Sequence, residues 1–183
     1  MGKIQWHSIT RLPLLFLVGL SLIACSDYQR ARSAYEAGEY AKAFQLFEKL
    51  SQAGDSQAQY DLSQMYLQGI GTSKSLEQGW VWLNRAAEKG NIQAMLELGV
   101  RYQASTSLEN SEEMALLWFQ KAAMAGSAVG QYNLAHLYEF GKQTPVDLVK
   151  AYAWMTLSNK SGNPAAASEA KALRRSEEHT SEL

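Results

Sequence analysis

Large apolar side chains return at a fixed interval of 36 residues along most of this chain. The sets that share this interval are Leu46, Trp82, Trp118 and Trp154; Phe47, Leu83, Phe119 and Met155; Leu62, Leu98 and Leu134; and Tyr66, Tyr102 and Tyr138. The last two sets stand four residues apart, a spacing that places side chains on one face of a helix. The pattern therefore predicts amphipathic helices arranged in a repeat of 36 residues.

Glycines mark the same interval and predict where one helix ends and the next begins. They are Gly54, Gly90, Gly126 and Gly162, and the residues that directly follow them are Asp55, Asn91, Ser127 and Asn163. Glycine accepts the left-handed conformation that closes a helix, and Asp, Asn or Ser offers a side-chain oxygen to the first free N–H groups of the next helix. Each pair thus predicts a tight connection between two helices.

The predicted fold is all-α: a solenoid of stacked antiparallel helix pairs. The helices are expected at about 28–37 and 40–53, 57–68 and 76–89, 93–104 and 112–125, and 129–140 and 147–160, with a further helix from Pro164. No segment alternates apolar and polar residues as a strand would. The recurring tryptophans are expected to fill the core between layers rather than to stack ligands. Such arrays bury a core only by stacking neighbouring repeats.

Several of these segments resemble Sel1-like repeats, which are relatives of the tetratricopeptide repeat. The resemblance rests on 94–98 with Tyr102, on the block 118–123, on Gly126 and on the turn 69–72. It covers residues 57–163, with 34–54 as a half-repeat, and implies a concave face that binds a protein or peptide and is lined by the first helix of each pair. The middle repeat departs from the pattern, because Ser105 stands where Gly69 and Gly141 stand in the others.

Residues 1–24 resemble the signal peptide of a bacterial lipoprotein. Lys3 and Arg11 precede an apolar run of 13 residues, and the run ends in Leu-Ile-Ala directly before Cys25, the single cysteine. The resemblance implies cleavage before Cys25 and acylation of Cys25 with fatty acids such as palmitate. An uncleaved membrane helix is the alternative, but it needs roughly 20 apolar residues. Two or more acyl chains anchor a protein stably, whereas one holds it only reversibly.

The expected order along the chain is a signal peptide at 1–24, a lipidated tether at 25–27, the repeat solenoid at 28–174, and a foreign tail at 175–183. By resemblance to lipoproteins of Gram-negative bacteria, Ser26 favours the outer membrane. The tail resembles the in-frame translation of a sequencing-library adapter, and we expect an assembly artefact there; the alternative is an ordinary polar tail. Residues 25–174 carry 14 Lys and Arg against 15 Asp and Glu, so the charge balance provides no basic patch for nucleic acid.

The composition does not favour an enzyme. Only His136 lies outside the leader and the tail, and no second histidine or free cysteine is present to complete a zinc site or a Cys-His dyad. A glycine pair at Gly69 and Gly71 follows a helix and lacks the preceding strand and third glycine of a dinucleotide site. We therefore expect no cofactor, no metal ion and no catalytic residues.

The expected function is a membrane-anchored scaffold that binds another protein, or a peptide of one, in the bacterial cell envelope. Partner-binding residues are expected where the first helices differ between repeats, at Asp61, Gln64, Glu97, Arg101, Asn133 and His136. Val100, Met65 and Leu137 share these registers and are likewise expected on the exposed face. One alternative is a module that binds peptidoglycan or exopolysaccharide through Tyr60 and Tyr132; a weaker one is a hydrolase of cell-wall or β-lactam substrates.

Overall fold

The computed structural model describes residues 27–105, 110–141 and 145–181, with side chains through residue 175. Within these ranges the chain forms nine α-helices and no strand. They are α1 (27–36), α2 (Tyr40–Gln52), α3 (Ser56–Gln68), α4 (Leu76–Glu88), α5 (Ile92–Ala104), α6 (Ser111–Met124), α7 (Ala128–Phe140), α8 (Leu148–Lys160) and α9 (Ala166–Ser181). The predicted all-α fold is confirmed, and the helix ends agree with expectation to within two residues.

The glycine positions connect successive pairs as predicted. Gly54, Gly90, Gly126 and Gly162 all have φ between +87° and +95°. Asp55, Asn91 and Ser127 each accept a hydrogen bond from the backbone N–H three residues later, at 2.8 to 3.1 Å. The fourth connection differs, because Asn163 Oδ1 accepts from the Ala165 N–H at 3.1 Å. This turn delays the start of α9 to Ala166, two residues after the predicted start.

The core is a row of apolar clusters that follow one another along the stack. The side chains of Phe47, Leu83, Phe119 and Met155 are at most 1% exposed, and those of Leu62, Leu98 and Leu134 are fully buried. Trp82 and Trp118 are also buried, and Trp154 packs against two of the clusters. The recurring tryptophans therefore belong to the core, as predicted. Each cluster joins a run of consecutive helices, as expected for a solenoid.

Helices α5 and α6 pack closely at a glycine. A side-chain carbon at Gly99 would lie 2.5 Å from Phe119 Cε1 and 2.6 Å from Cδ1. The equivalent positions in the neighbouring repeats hold Ser63 and Ala135, both fully buried. The Phe119 ring, which with Phe47 is the largest side chain in its register, thus stands against the smallest residue of the facing register. Small and large residues match across each pair of helices, which allows close packing.

Two details differ from expectation. Ser105, which replaces a glycine of the repeat pattern, has φ −80° and ψ 120°, close to the −58° and 138° of Gly141. Only Gly69 adopts the left-handed conformation, at φ 76°, so this position does not require glycine in every repeat. Met65 and Leu137, expected on the exposed face, are only 1% and 3% exposed. That expectation was wrong, since both side chains belong to core clusters.

The amino-terminal predictions lie largely outside the described residues. Residues 1–26, with the expected signal peptide and Cys25, are among those not described. Helix α1 begins at residue 27, within the predicted tether of 25–27. No helix of the described ranges combines the length and the apolar character needed to cross a bilayer.

Candidate functional site

The odd-numbered helices lie side by side and share a row of side chains that are polar and half-buried, except for the apolar and exposed Val100. We call this surface the ladder face and define it by Tyr28, Asp61, Gln64, Glu97, Val100, Asn133, His136 and Glu169. All six predicted partner-binding residues lie on it or next to it, and each of the six is half-buried. Direct contacts between the odd-numbered helices hold most of these side chains in place.

The first contact joins α1 to α3. The Tyr28 hydroxyl donates to Asp61 Oδ2 at 2.7 Å, and Gln57 Nε2 approaches Oδ1 of the same carboxylate at 3.5 Å. Burial raises the pKa of Asp61, although both hydrogen bonds oppose the shift. Burial, followed by the bond to Asp61, raises the pKa of Tyr28 to about 12. The phenol therefore remains a donor at any physiological pH, and Asp61 keeps its acceptor role.

The second contact joins α3 to α5. Gln64 Nε2 donates to Glu97 Oε2 at 2.8 Å, while Arg101 Nε donates to Glu97 Oε1 at 2.9 Å. The Arg101 guanidinium also lies over the Trp80 ring, 5.5 Å from its centroid. Glu97 is thus bound by a neutral amide on one side and a cation on the other. These bonds fix the positions of three predicted residues before any partner arrives.

The last contact joins α7 to α9. His136 Nε2 lies 3.0 Å from Glu169 Oε2, and the Tyr132 hydroxyl donates to Glu169 Oε1 at 2.8 Å. Glu139 Oε2 lies 3.7 Å from the other ring nitrogen of His136. Burial, opposed by His136, raises the pKa of Glu139. The hydrogen bond to Glu169 is the main cause of a raised pKa at Tyr132. Two carboxylates therefore flank a single imidazole.

A groove of about 450 Å³ opens between α1 and α3. Its lining residues are Arg32, Tyr35, Glu36, Phe47, Tyr60, Asp61, Gln64, Met65 and Gln68. Arg32 and Glu36 form an exposed ion pair at 3.0 Å on the rim. The floor combines apolar side chains with the amides and carboxylates of the ladder face. Such a mixture can accept a side chain or a short peptide segment.

The profile of the Sel1 repeat family matches residues 33–55, 56–91, 92–127 and 128–163. The chain belongs to the Sel1 repeat family. A Sel1 repeat protein of Oxalobacter formigenes shares the fold, with a TM-score of 0.70, 22% identity and coverage of 80% of this chain and 62% of that one. The protective antigen c5321 of uropathogenic Escherichia coli, with an SLR fold, aligns with a TM-score of 0.68, 30% identity and coverage of 82% and 33%.

The chain therefore spans less than two thirds of the length of either structural relative. Comparison with curated protein sequences gave no match. Sel1 repeat proteins generally act as protein–protein interaction modules, and the fold is typically a non-catalytic scaffold. Among the residues described here, no three or more His, Cys, Asp or Glu side chains are grouped to hold a metal ion.

The Sel1 repeats bring some predicted residues together and leave others apart. Glu97 contacts both Gln64 and Arg101, whereas Asp61 and His136 contact partners that the sequence did not single out. Those partners are Tyr28 and Glu169. Both occupy registers already assigned to the exposed face, one repeat before Gln64 and one repeat after Asn133. Extending the same registers to α1 and α9 would have found them.

The two tyrosines considered for glycan binding are not free aromatic platforms. Tyr60 is half-buried and packs against a core cluster. The Tyr132 ring lies edge-on to His136 at 4.5 Å between centroids, and its hydroxyl is engaged with Glu169. Both tyrosines are therefore partly buried and in contact with neighbouring side chains.

Proposed function

We propose that this chain is a membrane-anchored scaffold of the bacterial cell envelope that binds a partner protein, or a peptide segment of one, on its ladder face. The observation that carries the proposal is the row of polar groups that hydrogen bonds between neighbouring odd-numbered helices already hold in place. Binding then costs little side-chain entropy, because these rotamers are fixed in advance. Membership of the Sel1 repeat family supports a protein partner.

The anchor is proposed at Cys25, with the periplasmic face of the outer membrane as the location. The resemblance of residues 1–24 to a lipoprotein signal peptide supports it, and α1 begins only two residues after Cys25. An extended residue spans at most about 3.6 Å, so the tether would reach less than roughly 10 Å. The groove between α1 and α3 would then lie close to the lipid headgroups. A partner that binds there would itself be at the membrane surface.

Site-directed photocrosslinking in intact cells tests the binding face. A photoreactive amino acid replaces Gln64 on the ladder face or, as the matched control, the exposed Glu77 on α4. We expect discrete crosslinked bands from position 64 that are absent from position 77. Equal crosslinking from both positions, or none from either, would contradict binding by the ladder face.

A second experiment tests the anchor independently of the partner. Cells that express the wild type or Cys25→Ala are fed labelled palmitate and then fractionated. We expect label and outer-membrane sedimentation for the wild type, and loss of the label for the variant. A wild-type protein that carries no label, or that fractionates away from the outer membrane, would refute the proposed location while leaving the binding face open to the crosslinking test.

A further inference from the structure

The ladder face repeats one pair of positions at each stacking junction. On the odd-numbered helices a residue of one register is followed 33 positions later by a residue of the other register, and the four pairs are Tyr28 and Asp61, Gln64 and Glu97, Val100 and Asn133, and His136 and Glu169. Three of these pairs are in direct polar contact, at 2.7, 2.8 and 3.0 Å. In each of the three, a nitrogen or hydroxyl group of the earlier residue faces a carboxylate of the later one.

The pair between α5 and α7 is the exception. Val100 cannot hydrogen-bond, and its side chain is 51% exposed. The half-buried Asn133 makes no side-chain hydrogen bond with another residue of the described ranges. This pair of positions therefore holds an exposed apolar group and an amide without a side-chain partner among the described residues, whereas the other three pairs are in polar contact. Burial of Val100 against an apolar group of a partner is favourable because it removes apolar surface from water. The hydrogen bonds that the Asn133 amide makes with water can be replaced by hydrogen bonds to the partner.

Charge is also unevenly matched beside this junction. Glu97 on the α5 side is neutralised by Arg101. On the other side, Glu139 and Glu169 contact His136 and Tyr132, neither of which carries a permanent positive charge. A cationic group of a partner would complement these two carboxylates.

We infer that the Val100–Asn133 junction is the docking point of the partner, and that its occupant is an extended peptide segment bearing an apolar residue followed by a basic one. The apolar side chain covers Val100, a peptide group of the segment pairs with the Asn133 amide, and the basic side chain reaches Glu139 and Glu169. Packed helices are about 8–10 Å apart and an extended strand rises about 3.3 Å per residue. One such spacing separates α5 from α7, so a basic residue about three positions after the apolar one reaches Glu139; Glu169 lies one helix further, on α9, and contacts the same His136 ring. This inference rests on the proposed binding function of the ladder face.

The chain supplies the design of a variant that closes the junction. Val100→Gln with Asn133→Glu copies the Gln64–Glu97 pair into the same positions one repeat later. The two new side chains should hydrogen-bond to each other, which removes the apolar contact and the free amide at this junction while preserving the fold. Asn133→Ala removes only the amide and provides a second test that is independent of the new pair. The matched control is Leu117→Gln, which places the same polar side chain at an apolar position of α6 that is 40% exposed.

The probe is a displayed library of random decapeptides selected on the purified full chain, with selected peptides then synthesised and their Kd measured by fluorescence anisotropy. We expect enriched peptides to contain an apolar residue with Lys or Arg about three positions later. The closing variant and Asn133→Ala should each raise the Kd at least tenfold at an unchanged or higher Tm, whereas Leu117→Gln should not change it. Replacing the basic residue of the peptide by Gln should raise the Kd for the wild type. The same peptide change should raise the Kd less for a double variant that carries Glu139→Gln and Glu169→Gln.

Two other results are distinguishable. Peptides that bind the closing variant as tightly as the wild type, but lose affinity for Arg32→Glu in the groove between α1 and α3, would overturn this inference and leave the proposed function standing. A library that yields no peptide above background would count against both.

Discussion

The close approach of α5 and α6 makes Gly99→Ala an informative perturbation. The added carbon would lie 2.5 Å from Phe119 Cε1 and 2.9 Å from Cζ, well inside van der Waals contact. The Phe119 ring is fully buried, so it cannot move aside without disturbing its neighbours. Overpacking of this kind costs about 1–3 kcal/mol. Alanine recovers up to about 1 kcal/mol through its higher helix propensity. We therefore expect a net loss of about 1–2 kcal/mol in the free energy of unfolding.

The companion change is Phe119→Leu, which copies the Leu83 of the preceding repeat. Alone it should cost about 1–2 kcal/mol, because it leaves space beside Gly99. In the double variant the methyl group introduced by Gly99→Ala occupies that space, so the two changes should compensate. We expect a coupling energy of about 1–2 kcal/mol between them, within the range seen for residues in contact.

Urea unfolding followed by circular dichroism measures all four proteins of this cycle. The m-value should stay constant, so that differences in midpoint report stability alone. Thermal melts should show Gly99→Ala about 2–8 °C below the wild type, from roughly 2–4 °C per kcal/mol for a chain of this size. If the two changes add to within about 0.5 kcal/mol, size matching between these positions does not set the packing of the pair.

Four further substitutions follow from the structure described above. Gly71→Ala should lower the free energy of unfolding by about 2 kcal/mol or more in urea titrations, since φ is +70° and the new carbon would collide with the Tyr40 carbonyl oxygen. Gly90→Ala is the control, because its positive φ is similar but the space around it is open. It should cost only the strain of the positive φ, about 1–2 kcal/mol. Asn91→Ala removes the cap of α5 and should cost about 1–2 kcal/mol in melting experiments. Asp61→Asn should raise Tm at neutral pH, because burial raises the pKa of the carboxyl in the folded state. That gain should fade as the pH falls below about 4, where the wild-type carboxyl is protonated in both states; a pH-independent difference would contradict this cause.

Much of the fold follows from the sequence because local chemistry and the repeat agree. Gly90 requires a backbone conformation that few other residues accept, and Asn91 supplies the cap, so together they fix a helix boundary without any tertiary information. The aromatic registers then fix which side of each helix is buried. Ser105 shows the limit of this reasoning, since Ser105 itself adopts an extended backbone that glycine is not needed to form.

The error at Met65 and Leu137 has a physical origin. Their register differs among repeats because it also contains Arg101, and a register that differs in this way predicts an exposed position. The structure shows that the register points toward the core, where Met65 and Leu137 are buried. Arg101 occupies the same position, but its long side chain carries the guanidinium out to Glu97 and leaves it 38% exposed. Variation in a register can therefore reflect one side chain that snorkels rather than a free surface.

The pairing on the ladder face was hidden for a geometrical reason. Aligning the repeats compares positions 36 apart, whereas stacked helices bring together positions 33 apart, so the two members of each pair fall in different columns. One column contains the donors Tyr28, Gln64 and His136 and, as an exception, the apolar Val100. The other column contains the carboxylates of Asp61, Glu97 and Glu169 and, as an exception, the amide of Asn133. Within either column alone, the residue type simply varies from one repeat to the next. When the two columns are compared with an offset of three residues, they show three polar pairs and one pair, Val100 and Asn133, that differs in both members. That double difference is the reason for placing the proposed docking point at this junction.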